Sequence, residues 1–418
     1  MSEKYYRKIQ NNSLLTIESY GIKTDIFIKI KLFLIILGLW MFFIPFPIMA
    51  QETDIKPGSI MQDTITDLDL GVLEEYKSNI DSEINSYMEH KTVKDWLIDF
   101  VNGDWSFDFK EVGTNVIKFF FKEIMVNSSL LGKLLILSVI AALIINLQSA
   151  FSTGIAQISY MACFLALCAI ALGSFKIVLG IGQDTVNNMV AFMVGMLPQM
   201  LVLTAGLGNV NASVMLFPIL MTAATAFANA IKSIVFPLII MSAILNLVNH
   251  MSESIKVERM AQFFGKMAQI SLGFFLCLFV GIVTLRALYA SVLDQVALRT
   301  TKFITDTALP VVGKMVSDTI EVAAGYVVMI KQALGIFGVL IILGIILFPL
   351  LKIAALAIIY KIAAAVIEPL GDSKTAAFLE IMSTHLLLML AAVASVGLMF
   401  FIMIAIVAGM SNHLGMLR

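Results

Sequence analysis

Hydrophobic positions change their spacing in stages along this chain. Residues 1 to about 31 are polar and carry Lys4, Arg7, Lys8, Lys23, Lys29 and Lys31; an apolar run from Leu32 to Phe46 follows, then Pro47-Ile48-Met49-Ala50-Gln51. A basic flank, a short greasy core, helix breakers and a small residue predict a secretory signal peptide cleaved after Ala50, or an uncleaved signal anchor. In both cases the positive flank stays in the cytoplasm and Gln51 emerges outside.

From Gln51 to about Asn127 the spacing is that of amphipathic helices. Leu70, Leu73, Tyr76, Ile80, Ile84 and Tyr87 recur every three or four residues, which places them on one helical face. A second short helix holds Trp96, Leu97 and Phe100 and is closed by Gly103, and a third pattern runs from Val112 to Ile124. Its apolar stripe suits a membrane surface. The segment reads as a small extracytoplasmic leader or lid resting on membrane helices or on a partner, too small to be an independent enzyme.

Near Leu130 the pattern turns continuously apolar. About 20 apolar residues cross the hydrocarbon. The runs 130–149, 156–178, 212–231, 233–249, 268–289, 333–350, 352–367 and 385–409 are candidates, and the expectation is about seven to nine spans. Pro198, Pro237, Pro310 and Pro349 are candidate helix breaks. Those inside spans either need a wet or protein-lined cavity for the freed backbone groups, or simply mark turns between neighbouring helices. Three stretches are apolar yet striped with polar residues: 183–207 with Asp184, Asn187 and Asn188; 251–267 with Glu253, Lys256, Glu258, Arg259 and Lys266; and 294–328 with Arg299, Lys302, Asp306, Lys314, Asp318 and Glu321. Such stretches lie in the interface, re-enter the bilayer or face water inside an assembly.

The apolar part also repeats itself. Ala156-Gln157-Ile158-Ser159 returns as Ala268-Gln269-Ile270-Ser271, Leu197-Pro198 as Leu309-Pro310, and Phe236-Pro237-Leu238 as Phe348-Pro349-Leu350, all at a shift of 112 residues (156 to 268). One shift for separate matches reads as an internal duplication. If 183–207 does not cross, each unit has three spans and the second copy is inverted, the preferred reading; if it crosses, the copies run parallel. The expected organisation is therefore a signal segment 1–50, the leader 51–127, a first membrane helix 128–155, repeat A 156–267, repeat B 268–382 and a last membrane helix 383–418. The fold class is all-α and polytopic.

Composition strengthens this picture. Of 418 residues, 59% are hydrophobic and 14% charged, against about 25% charged in soluble proteins, and mean hydropathy is +0.93. A net charge of −1 with no basic cluster excludes a nucleic-acid surface. Cys163, Cys168 and Cys277 sit in apolar runs without disulfide or metal spacing. His90, His250, His385 and His413 stand singly. No nucleotide, hydrolase or zinc motif occurs, so neither an enzyme nor a cofactor protein is expected. The candidate polar path or gate is Asp318, Glu321 and Lys331, with Asn209 on the matching loop of repeat A. Lys314 lies four residues before Asp318, so local charge pairing is the competing role for that cluster.

The run Leu309-Pro310-Val311-Val312-Gly313-Lys314-Met315-Val316-Ser317-Asp318 resembles the most characteristic stretch of the stage III sporulation protein AE family of endospore-forming bacteria. The order of parts agrees with that family over roughly residues 60 to 418; the long polar extension before the signal-like segment is less typical. The resemblance implies a multispanning component of a transenvelope complex between mother cell and forespore, made by the mother cell and placed in the membrane around the forespore. Implied partners are the other stage III sporulation A proteins (a secretion-type ATPase, ring-forming and membrane subunits), a forespore-made protein, membrane lipid and further copies of the chain. The expected function is a channel or export-platform subunit passing small molecules; the rivals are a self-contained secondary transporter and a non-conducting scaffold. The resemblance brings no catalytic residues.

Overall fold

The computed structural model describes residues 70–84, 92–105, 109–146, 153–206, 210–251, 256–308, 312–370 and 372–409, all within one compact unit, 58–418. The signal segment 1–50 and Tyr87 lie outside the described residues. Every regular element described is helical: α1 (Gly71–Ile84), α2 (Val93–Asn102), α3 (Phe109–Val126), α4 (Ser128–Asn146), α5 (Thr153–Gly206), α6 (Val210–Ala230), a π turn (Ile231–Val235), α7 (Phe236–Met251), α8 (Glu258–Ala308), α9 (Val312–Ile367), a 3₁₀ turn (Glu368–Leu370) and α10 (Ser373–Gly409).

Among the described residues five helical stretches are long and apolar enough to cross a membrane: Gln157–Ala205, Val214–Met251, Glu258–Tyr289, Val327–Leu370 and Ser373–Gly409; α3 and α4, bent by 44° at Asn127, make up to a sixth. These residues thus give five or six candidates where about seven to nine spans were expected of the chain. Several predicted spans fuse because the prolines do not stop their helices. Pro198 lies inside α5 and Pro349 inside α9, so neither is a break. A proline removes one N–H and crowds the preceding turn, and in a bundle neighbouring helices hold the backbone in place. Pro237 is handled differently. The turn before it widens into the π turn, where the Phe236 N–H reaches the Ile231 carbonyl, and the chain continues without a break from Val210 to Met251. Pro310 and Asn209 fall outside the described residues.

Contacts fix the sense of each helix. Asn187 meets Lys232 and Gly182 meets Phe236, so α5 runs against α6–α7. Phe227 stacks edge-on with Phe275 and Phe279, and Ser242 bonds to the Ala261 carbonyl, so α8 also runs against α6–α7. Gly397 faces Ile346 and Ser383 bonds to the Ala357 carbonyl, making α9 and α10 an antiparallel hairpin. The long helices alternate in direction, and α5 and α8 share one sense. Segments 156–267 and 268–382 therefore begin on parallel helices, each with two long helices, where the three-span reading required inversion.

The α9–α10 hairpin is central. Helix α9 packs on α5, α4, α3 and the leader, while α8 sits outside against α6, α7 and α10. Small residues let backbones approach: a Cβ on Gly335 would lie 2.9 Å from Ala408 Cβ, and one on Gly338 would strike Met196.

The leader is built as its spacing predicts. Leu73 is fully buried. Helix α2 opens on a capping box in which Thr92 Oγ1 accepts from the Asp95 N–H (3.1 Å) and Asp95 Oδ2 from the Thr92 N–H (3.0 Å). It closes on Gly103 at φ +80°, in the left-handed region. Glu74 of α1 accepts from the Val93 N–H at 2.7 Å, joining the two helices. Both rest on the bundle: Tyr76 meets Phe192 edge-on (5.5 Å), and Trp96, Phe100 and Trp105 surround Phe337 at 5.4, 6.1 and 5.5 Å.

Candidate functional site

The middle of the bundle can be located from uncharged sequence and from contacts. Gln332–Leu351 on α9 and Ile381–Gly409 on α10 carry no Asp, Glu, Lys or Arg. Gly397 and Ile346 meet within these runs, and Val393 of α10 meets Gly182 of α5 beside Phe236. Asp184 and Asn187 follow Gly182 by two and five residues, about 3 and 7.5 Å along the axis at a rise of about 1.5 Å per residue. The hydrocarbon extends about 15 Å to each side of its centre. Both residues thus sit well inside the apolar layer.

At that level α5 carries a polar stripe. Asp184, Asn187 and Asn188 share one face and are exposed on the protein surface; Gln183 is half-buried beside them. Across from them the π turn presents Lys232, half-buried, and Ser233, exposed. Lys232 Nζ donates to Asn187 Oδ1 at 2.9 Å. Among the described residues Asp184 makes no hydrogen bond or ion pair. Elsewhere in these helices polar groups are consumed locally: Thr185, Thr204 and Ser174 donate to carbonyls one turn back, the ordinary way a hydroxyl is satisfied in an apolar helix. The stripe is not satisfied in this way.

A carboxylate or ammonium facing lipid at this depth costs about 2.5–3.5 kcal/mol on insertion scales. The stripe is therefore suited to water or to polar groups of another subunit. The π turn matters to this arrangement, because its extra residue re-aims the side chains that follow and brings Lys232 opposite Asn187.

The residues singled out from sequence are distributed otherwise. Lys331 is fully buried on α9, enclosed by the bundle and not on a surface groove. Asp318 and Glu321 lie on the first turns of α9, and their side chains are outside the described residues. The spacing of Asp184, Asn187 and Asn188 was visible as a polar stripe, but nothing in the sequence singled out Lys232 as its partner.

A second polar region lies where α7 ends and α10 begins. Asp372 caps α10 by accepting from the Thr375 N–H at 3.0 Å and also accepts from Tyr160 at 3.2 Å, while its other oxygen, buried, has no partner. His250, near the end of α7, bonds to the Asn246 carbonyl; farther into the bundle His385 meets Ser242. His250 is half-buried rather than a plain surface group. Of the cysteines, Cys168 is buried as a packing residue, whereas Cys277 is exposed on α8.

Residues 91–411 match the family model described as stage III sporulation protein AE. The chain belongs to this family. It is 31% identical over 356 residues to the stage III sporulation protein AE of Bacillus subtilis (strain 168), covering 85% of this chain and 89% of that relative. No solved structure matches it. Membership in the stage III sporulation protein AE family gives the chain a role in sporulation, and its five apolar helices make it a polytopic membrane protein.

Proposed function

We propose that this sporulation protein is a non-catalytic channel or export-platform subunit, in which the stripe of α5 and the π turn faces a water-filled path formed with further copies or with other stage III sporulation A proteins. The observation that carries the reading is Asp184, Asn187, Asn188 and Lys232 exposed or half-exposed at the centre of an otherwise apolar bundle. A solitary copy would leave these groups against lipid. Association turns the same groups into the wall of a path, and small hydrophilic solutes fit a wall of amides with one acid and one base. The matching starts of 156–267 and 268–382 support a duplicated unit with parallel copies. The mother-cell membrane around the forespore is the corresponding location.

The test is solvent access at mid-depth. In a chain with Cys163, Cys168 and Cys277 replaced by alanine, single cysteines at Asn188 and Ser233 are treated with a membrane-impermeant thiol reagent in sporulating cells. Fast labelling at both positions, with slow labelling of a cysteine at Phe274 on the outer face of α8, is the expected result. Equal rates at all three positions would remove the path. Labelling that does not impair sporulation would leave a polar contact between subunits but no conduction.

A further inference from the structure

Midway along α7 three contacts form a line. The Ile381 carbonyl lies 2.7 Å from His385 Nδ1, His385 Nε2 lies 2.9 Å from Ser242 Oγ, and Ser242 Oγ lies 2.8 Å from the Ala261 carbonyl. Ser242 and His385 are buried, at 1% and 7% exposure. The two outer atoms are carbonyl oxygens, which only accept. Nδ1 must therefore carry a hydrogen for Ile381, and the serine hydroxyl must give its single hydrogen to Ala261. Nothing remains for the central contact unless Nε2 also carries a hydrogen. A neutral imidazole leaves one of the three contacts without a proton, or forces the hydroxyl to abandon Ala261. An imidazolium supplies all three.

We infer that His385 is a proton-binding site inside the bundle, and that its protonated form completes the Ile381–His385–Ser242–Ala261 line and clamps α10 to α7 and α8. The line joins three helices, and two residues before His385 the Ser383 hydroxyl fastens α10 to α9 through the Ala357 carbonyl at 2.8 Å. Helix α8 can come this close because residue 265 is glycine: a Cβ there would lie 3.0 Å from Ser242 Oγ. On the surrounding helices, the other titratable groups within eight residues of Ser242, Ala261, Ala357 or His385 are His250 on α7, bonded to Asn246; Glu258, Arg259 and Lys266 on α8, all exposed; Lys352, buried Tyr360 and exposed Lys361 on α9; and exposed Glu380 on α10. None of them hydrogen-bonds to His385 or Ser242. The cation is thus held by oxygen acceptors and not by a carboxylate. This inference does not depend on a conducting path.

The experiment is a pH titration of the full chain, with ¹⁵N-labelled histidine, in lipid nanodiscs. The four histidines are assigned with His385→Gln or, if that variant does not fold, by exclusion with His90→Gln, His250→Gln and His413→Gln. At high pH the His385 signals should show the hydrogen on Nδ1 and a bare Nε2. Both nitrogens should become protonated in one step as the pH is lowered. Ser242→Ala should keep the neutral tautomer and move that step down by about one pH unit, a tenfold loss of proton affinity. A neutral form with its hydrogen on Nε2, no protonation of the folded protein on acidification, or an unmoved step in Ser242→Ala would each overturn the inference.

Discussion

Gly195→Ala tests whether the leader is docked on the membrane helices. Gly195 lies on α5 opposite Val72 of α1, and a Cβ there would fall 2.6, 2.7 and 3.0 Å from Val72 Cγ1, Cγ2 and Cβ. Two opposing effects follow. Alanine in place of glycine favours a helix by about 0.8–1 kcal/mol, so without the leader contact the substitution would stabilise α5. Overpacking costs about 1–3 kcal/mol. The upper part of that range applies here, because Val72 is branched at Cβ, has no flexible end to swing aside, and is held by its fully buried neighbour Leu73. The helix gain is present with the leader docked or undocked and cancels, so docking loses about 2 kcal/mol, or about a thirtyfold rise in the undocked population. Limited proteolysis within α1 in detergent-solubilised protein reads that population, since the helix must leave its site to be cut. Cleavage should rise about thirtyfold in Gly195→Ala and return toward the wild-type rate in Gly195→Ala with Val72→Ala, since contacting residues are energetically coupled. Unchanged or slower cleavage in the single variant, or no rescue in the double, would refute docking at this contact.

Other consequences of the same packing are testable. Phe337→Ala should cost about 3–5 kcal/mol, since it empties the centre of the Trp96, Phe100 and Trp105 cluster, and tryptophan fluorescence should shift to the red. Burial first, and the Glu75 carboxylate second, raise the Tyr76 hydroxyl above its ordinary value. The neutral phenol is the form the docked leader favours, so its contribution is complete below about pH 10 and lost as pH rises further; proteolytic release of the leader should be flat through neutral pH and climb only in that alkaline range, and a climb near neutrality would contradict it. Asp372→Ala removes the cap of α10 and the Tyr160 bond and should lower stability by about 1–2 kcal/mol, with Asp372→Asn milder in a thermal melt.

Local chemistry made much of the leader legible in advance. Gly103 marks a helix end by a local device, and the spacing of Leu70, Leu73 and Tyr76 marks the face of α1 that packs on the bundle; the Thr92–Asp95 cap, equally local, was not read from the sequence. The same holds for the all-α membrane class, because a chain this apolar must satisfy its backbone within helices. What the prolines would do was not legible. Pro198 and Pro349 remove the same N–H wherever they stand, but whether a helix ends there depends on the neighbours that hold the next turn, and those neighbours are far away in sequence. The number of long helices, and with it the relative sense of segments 156–267 and 268–382, followed from that decision. The polar sites divide in the same way: Asp184, Asn187 and Asn188 announced a stripe through their spacing on one helix, whereas Lys232 came to Asn187 only through a π turn, and His385 met Ser242 across 143 residues. Periodicity and capping act within a turn or two and are written in the chain; the partner of a polar side chain is set by which helices pack together, and only the assembled bundle decides that.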